Sequence, residues 1–140
     1  MTSYNEQDLD TLARTIFGEA RGELRHPNGG MKSLYAVAHV VKNRTKHTQY
    51  SSCVHEVCQQ AWQFSCWNVK DPNRDILLKA TFSDTVFQQC YLAATTVLFG
   101  DIEDCTKGAT HYHSMAIDAP YWAIGHNPTT IIGHHLFYKL

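Results

Sequence analysis

The chain has 140 residues, enough for one domain with a real core and no covalent staples. No run approaches the roughly 18 apolar residues of a membrane span, and Met1-Thr2-Ser3-Tyr4-Asn5-Glu6 has neither the basic start nor the apolar stretch of a signal peptide. A net charge of −1 gives no reason to expect nucleic acid as a partner, although nine histidines would carry the chain to about +8 if all were protonated, which predicts adhesion to anionic polymers in acid.

The first helix is predicted from about Glu6 to Gly22. Leu9, Leu12, Ala13, Ile16 and Phe17 fall at i, i+3, i+4, i+7 and i+8, which makes one apolar face. Ser3 with Glu6 and Asn5 with Asp8 compete as its capping pair, and residues 1–5 read as a flexible tail on a single domain spanning 1–140. His26-Pro27-Asn28-Gly29-Gly30 ends the helix in a turn. A second helix carries Leu34, Val37, Ala38 and Val41 on one face and closes with Lys42, Arg44 and Lys46, cations that suit the negative end of a helix dipole.

Cys53 to Gln60 reads as a short helix, and Trp62 to Asn68 follows as an aromatic and polar segment. Asp71-Pro72-Asn73 reads as a turn and Arg74 to Ala80 as another short helix. Ser83 is the expected cap of a third long helix, in which Val86, Cys90, Ala93 and Val97 recur at helical spacing before Gly100. Beyond Gly108, Ala109 to His113 and Thr129 to Ile132 read as strands, with Leu136-Phe137-Tyr138 extending the second. Helices first and strands late, without strand-helix-strand alternation, predict an α+β fold: a mainly helical lobe with a small antiparallel β region.

Glu19 lies in Gly18-Glu19-Ala20-Arg21-Gly22-Glu23, on the rim where the first apolar stripe leaves the core. A carboxylate held against apolar surface is disfavoured in its charged form, which suits it to donate a proton near neutral pH. Glu23 follows one helical turn later with Arg21 between them, both candidates for support; two solvated glutamates at a helix end are the plain alternative. Gly18 and Gly22 each cost about 1 kcal/mol against Ala in a helix, so backbone there must closely approach a packed element or a substrate. Gln63-Phe64-Ser65-Cys66-Trp67-Asn68 combines flat rings with hydroxyl and amide groups, as saccharide grooves do, or is ordinary aromatic core.

His111, His113, His134 and His135 invite a metal reading, but no H-E-x-x-H helix or C-x-x-C pair accompanies them, and no metal or cofactor is expected. The five cysteines fit no disulfide framework and read as reduced, partly buried thiols. Cys66 as a nucleophile would require an exposed, activated thiol rather than one set between Phe64 and Trp67.

Five segments in order resemble the SleB-type cell-wall hydrolases, a family of spore-cortex lytic enzymes with phage and bacterial relatives. They are Leu12 to Glu23 with Ala36 to Arg44, then Gln63 to Asn68, Ala109 to His113, Pro120-Tyr121-Trp122, and Ile132 to Tyr138. The likeness runs from about Leu9 to Tyr138. It implies a lysozyme-like fold, peptidoglycan saccharide strands as partner, and cleavage of the β-1,4 bond between N-acetylmuramic acid and N-acetylglucosamine by a lytic transglycosylase or muramidase. The family's catalytic glutamate, the first of G-E-x-R-G-E, maps onto Glu19. The matching segments make Gln63, Ser65, Asn68, His111 and Tyr112 candidates for the saccharide groove. Thr110-His111-Tyr112-His113 is closer to phage and Gram-negative relatives than to cortex enzymes, so general peptidoglycan is the expected substrate. The expected form is a monomer, made in the cytoplasm without a signal peptide and acting on the wall after release. A catalytically silent wall-binding module and a metal-dependent amidase or peptidase are the competing readings.

Overall fold

Helix α1 (Glu6–Ala20) starts at a capping box in which Asn5 Oδ1 accepts the Asp8 N–H at 2.9 Å and Asp8 Oδ2 accepts the Asn5 N–H at 3.1 Å. That resolves the two predicted capping pairs in favour of Asn5 and Asp8. The computed structural model describes residues 3–60 and 63–140; Trp62 of the aromatic segment lies outside the described residues. Asn5 and Tyr4 belong to the packed fold, Asn5 as the cap of α1 and Tyr4 edge-on against Phe99 at 5.6 Å.

The α-helix ends at Ala20, two residues before the expected boundary, and tightens into a 3-10 segment over Arg21–Arg25. The Glu23 carbonyl, accepting N–H groups from His26 and Gly30, turns the chain out of the helix there. Helix α2 (Met31–Arg44) follows the predicted His26–Gly30 turn. Its face of Leu34, Val37, Ala38 and Val41 enters the main core with Leu12, Ile16 and Phe17 of α1. Ala36 and Val40, on its other side, pack with Ala109, Ile132 and Phe137 in a second core. The helix is therefore apolar on both sides and stands between the helical lobe and the sheet.

Helix α3 (Val54–Gln59) lies close to its expected span. Helix α4 (Pro72–Lys79) starts earlier than predicted: Asp71 accepts the Asn73 N–H, and Pro72 occupies the first turn, where its missing N–H costs nothing. Asp71-Pro72 is thus a helix start rather than a separate turn. Helix α5 (Thr85–Phe99) is capped by Asp84, whose Oδ1 accepts the N–H groups of Val86 and Phe87. The expected cap, Ser83, instead pairs with the Thr81 hydroxyl at 2.7 Å. Helix α5 lies against both α1 and α2, closing the core with Phe87, Cys90, Ala93, Ala94 and Val97. Among the described residues no helix is long and apolar enough to cross a membrane.

Among the described residues, three antiparallel strands complete the fold in the order β1-β3-β2: β1 (His111–Ser114), β2 (Thr130–Ile132) and β3 (His135–Tyr138). Leu136-Phe137-Tyr138 therefore belongs to a third strand, not to an extension of the second. The reversal is the two-residue turn Gly133-His134, with Gly133 at φ +59°. The predicted α+β class, mainly helical with a small antiparallel sheet late in the chain, is the class observed.

Candidate active site

Glu19 and Glu23 line one cleft of about 270 Å³ together with Gly22, Ser114, His134 and His135. The break at Ala20 does not separate the two carboxylates. One wall is the end of α1 and the other is the sheet. In β1, side chains alternate across the strand, so Tyr112 and Ser114 share the face turned toward the cleft.

The Tyr112 hydroxyl donates to Glu19 Oε1 at 2.5 Å, joining residues 93 positions apart. Burial pushes the Glu19 carboxyl above its ordinary value, helped by the nearby negative Asp71. The hydrogen bonds from Tyr112 and Cys66 pull the other way without overcoming burial. Tyr112 itself is held well above the ordinary phenol range by burial and by Glu19, so it stays a neutral donor. Burial also drives the Cys66 thiol far up, again reinforced by Glu19; such a thiol is no nucleophile.

Gly18 explains how Cys66 comes so close. A Cβ at position 18 would stand 2.8 Å from the Cys66 Cβ and 2.9 Å from Leu77 Cδ2. Gly22 is different: nothing lies within 4 Å of its notional Cβ, and it faces the open cleft. The backbone approach expected from the two glycines is thus to a packed element at Gly18 and to open space at Gly22.

Glu23 is buried, yet its environment is polar. Its Oε1 accepts the His134 backbone N–H at 2.7 Å, its Oε2 lies 2.7 Å from His134 Nδ1, and His135 Nδ1 is 3.2 Å from Oε1. Burial alone would raise this carboxyl, but the His134 hydrogen bonds and both imidazoles outweigh it and hold the group below its ordinary value. Gly133 makes room for this arrangement, since a Cβ there would stand 2.8 Å from Glu23 Oε1.

Arg21 turns away from both glutamates. Its guanidinium donates to the Phe17 carbonyl at 3.0 Å and to Asn73 Oδ1 at 2.7 Å, tying α1 to α4. Within the aromatic segment, Phe64 is buried and the Trp67 indole N–H donates to Thr15 Oγ1 at 2.9 Å. These rings belong to the core side, whereas Ser65 and Asn68 are exposed and Gln63 half-buried. His111 lies on the strand face opposite Tyr112, against Trp122 and within 3.4 Å of the Tyr50 hydroxyl. Burial and the Arg44 charge push His111 down to about 4. His39 and His135 are also held below the ordinary imidazole value, chiefly by burial, so the charge of +8 drawn from the sequence overstates what mild acid produces.

Sequence reasoning missed several parts of the site. Ser114 follows Tyr112 by two residues, a period that could have been extended. Cys66 was weighed as a nucleophile rather than as a neighbour of Glu19. Arg44, read as a cation at a helix end, is buried between the rings of Tyr50 and Phe64, at 5.2 and 4.9 Å, with Nε donating to the Thr110 carbonyl at 2.7 Å. Its Nη1 has no partner among the described residues.

Residues 28–138 match the sequence model of the cell wall hydrolase family. The chain belongs to that family. Glu19 and Glu23 lie ahead of the matched span, so their placement rests on the geometry above. The fold is similar to that of the catalytic domain of the germination-specific lytic transglycosylase SleB from Bacillus anthracis, with a TM-score of 0.73, 23% identity and 99% of each chain covered. It is also similar to the catalytic domain of the Bacillus cereus SleB protein, with a TM-score of 0.70 and 23% identity over 99% of this chain and 94% of that one. These likenesses bear out the expected lysozyme-like architecture of this cell wall hydrolase. No curated protein sequence matches the chain.

Proposed function

We propose that this cell wall hydrolase cleaves the glycan strands of peptidoglycan at the β-1,4 bond between N-acetylmuramic acid and N-acetylglucosamine, as a lytic transglycosylase with Glu19 as its single acid and base. The observation that carries this reading is the Glu19 carboxyl: it lines the cleft, burial holds it toward its neutral form, and Tyr112 fixes one oxygen. With Oε1 engaged by Tyr112, the proton is carried on Oε2. Protonated Glu19 donates to the leaving glycosidic oxygen as oxocarbenium character develops at the muramic C1. The carboxylate then takes a proton from the muramic C6 hydroxyl, whose oxygen closes on C1 to leave a 1,6-anhydro end. The nucleophile belongs to the substrate, so no second carboxylate is required.

Glu23 supports this outcome over hydrolysis. A general base for water needs a free carboxylate oxygen facing the substrate, and both Glu23 oxygens are engaged by His134 and His135. Its proposed task is to hold the hairpin that carries the sheet wall. The SleB protein from Bacillus anthracis, of similar fold, is itself described as a lytic transglycosylase. Tyr112 is proposed to orient Glu19, Gln63, Ser65 and Asn68 to face the polymer, and His111 to border it from the far side of β1; Arg21 serves the α1–α4 contact. The substrate is peptidoglycan reached after release from the cytoplasm, with the protein acting as a monomer.

Mass spectrometry of digested sacculi tests the reading. Anhydromuramic ends, lighter by one water than reducing ends, are expected from the parent and absent with Glu19→Gln. Reducing ends would replace the transglycosylase reading with hydrolysis. New amino groups would indicate an amidase, and sedimentation with sacculi without soluble fragments a binding module.

A further inference from the structure

At the opposite end of α1 from the cleft, three potential metal ligands converge. Asp8 Oδ1, Cys53 Sγ and His55 Nδ1 lie within 4.8 Å of one another, in a region where sequence periodicity and motif spacing gave no metal signal. Asp8 is eleven residues before Glu19 on the same helix, about 16 Å along its axis at 1.5 Å per residue. The cluster therefore takes no part in the chemistry of the cleft.

The pairwise separations are 2.8 Å from His55 Nδ1 to Asp8 Oδ1, 3.1 Å from Cys53 Sγ to His55 Nδ1, and 3.8 Å from Cys53 Sγ to Asp8 Oδ1. Tetrahedral zinc, with bonds of about 2.0–2.3 Å to nitrogen, oxygen and sulfur, spaces such donors by about 3.4–3.6 Å. Shifts of about half an ångström would accommodate the ion. The same geometry argues against a Cys-His-Asp catalytic relay. A relay needs one imidazole nitrogen for the thiol and the other for the carboxylate, whereas here Nδ1 is the nearer nitrogen to both, with Nε2 3.7 Å from Cys53 Sγ.

The surroundings also suit a bound ion. Asp8 is buried and preset: Oδ2 accepts the Asn5 N–H, and Oδ1 accepts the His55 backbone N–H at 3.1 Å. Such outer bonds hold a ligating carboxylate in place. Cys53 and His55 are half-buried, which leaves a path from solvent and room for a fourth, water ligand. Thiolate, imidazole and carboxylate together select zinc over calcium or magnesium, which prefer all-oxygen sites.

We infer that Asp8, Cys53 and His55 form a zinc site that ties the start of α1 to the start of α3. Its role is structural, a clip closing the chain between residues 8 and 53.

The test uses the whole chain, stripped of metal with a chelator and titrated with Zn²⁺ against a chromophoric competitor. One equivalent is expected to bind and to raise the unfolding midpoint by several degrees. Co²⁺ in its place is expected to give a sulfur-to-cobalt charge-transfer band. Cys53→Ser and His55→Gln should each weaken Zn²⁺ binding by at least the roughly 10–100-fold that even outer-shell changes cost, while Cys105→Ser binds like the parent. The Co²⁺ spectrum of the parent keeps the test decisive even if one variant fails to fold. Absence of the cobalt band, failure to bind one equivalent, or unchanged binding in both ligand variants would overturn the site.

Discussion

The two carboxylates of the cleft share a wall but live in opposite surroundings. Glu19 sits where α1 meets Cys66, and burial raises its proton affinity. Glu23 sits under the β2–β3 turn, where two imidazoles and a backbone N–H hold it ionised. Four residues of sequence separate a group kept ready to give a proton from a group kept charged. Both are shielded from water, so burial alone does not set a carboxyl group's role; the donors left around it do.

The largest test of this contrast is Glu19→Gln. Glycan cleavage is expected to fall by roughly 10²–10⁴-fold or more, the share that general acid–base catalysis supplies. The same substitution should stabilise the protein at neutral pH. A carboxyl raised in the fold favours folding while protonated and loses that contribution as pH rises through its folded value. Removing the charge is therefore expected to raise stability by about 0.5–2 kcal/mol, read from thermal unfolding at pH 7. A Glu19→Gln protein that cut sacculi at the parent rate would end the comparison.

Tyr112→Phe comes next. Losing the hydroxyl removes a bond that lowers Glu19, so the alkaline limb of the activity profile should move to higher pH, with kcat down by roughly 10-fold or more. An unshifted limb would mean that Tyr112 does not address Glu19 in the working enzyme.

Glu23→Gln should act mainly on stability, by about 1.5–3 kcal/mol for hydrogen bonds to a charged group. Here the sign reverses. A carboxyl lowered in the fold stabilises above its unfolded value and loses that contribution as pH falls through its folded one. The gap between parent and variant is thus expected to close below about pH 4.5, the ordinary value for Glu. Denaturant unfolding at pH 7 and pH 3 checks it.

Gly18→Ala should cost about 1–3 kcal/mol by overpacking against Cys66 and Leu77. Gly22→Ala, with open space beyond it, is expected to be close to neutral in denaturant midpoint. The smallest effect is at His111. Its lowered value means stability present above pH 6.5 and lost as pH falls toward about 4, so His111→Asn should flatten the unfolding midpoint over that window.

What was legible in the chain follows the range of the forces involved. The apolar period of α1 and the Asn5–Asp8 box are local, and both could be read from neighbouring residues. The start of α4 was misread because Asp-Pro serves turns and helix starts alike. The third strand was hidden because Gly133-His134 interrupts what looks like one β-rich run. Side-chain directions were least accessible. Arg21 reaches Asn73 and Arg44 turns inward because of partners far along the sequence, and no period of 2 or 3.6 records such partners. Glu19 was accessible as a residue, since a rim carboxyl on an apolar stripe and the family motif coincide. Its Tyr112 and Cys66 neighbours were not.

The bonds that finish the cleft span nearly the whole chain, from Glu19 to Tyr112 and from Glu23 to His134. A ribosome makes both glutamates early and their partners late. Until β1 is made, Glu19 lacks the Tyr112 hydroxyl, and until the β2–β3 hairpin follows, Glu23 lacks its His134 partner. A chain cut ahead of β1 is accordingly expected to keep both glutamates and lose the cleft, so the site is completed in a step rather than in proportion to length.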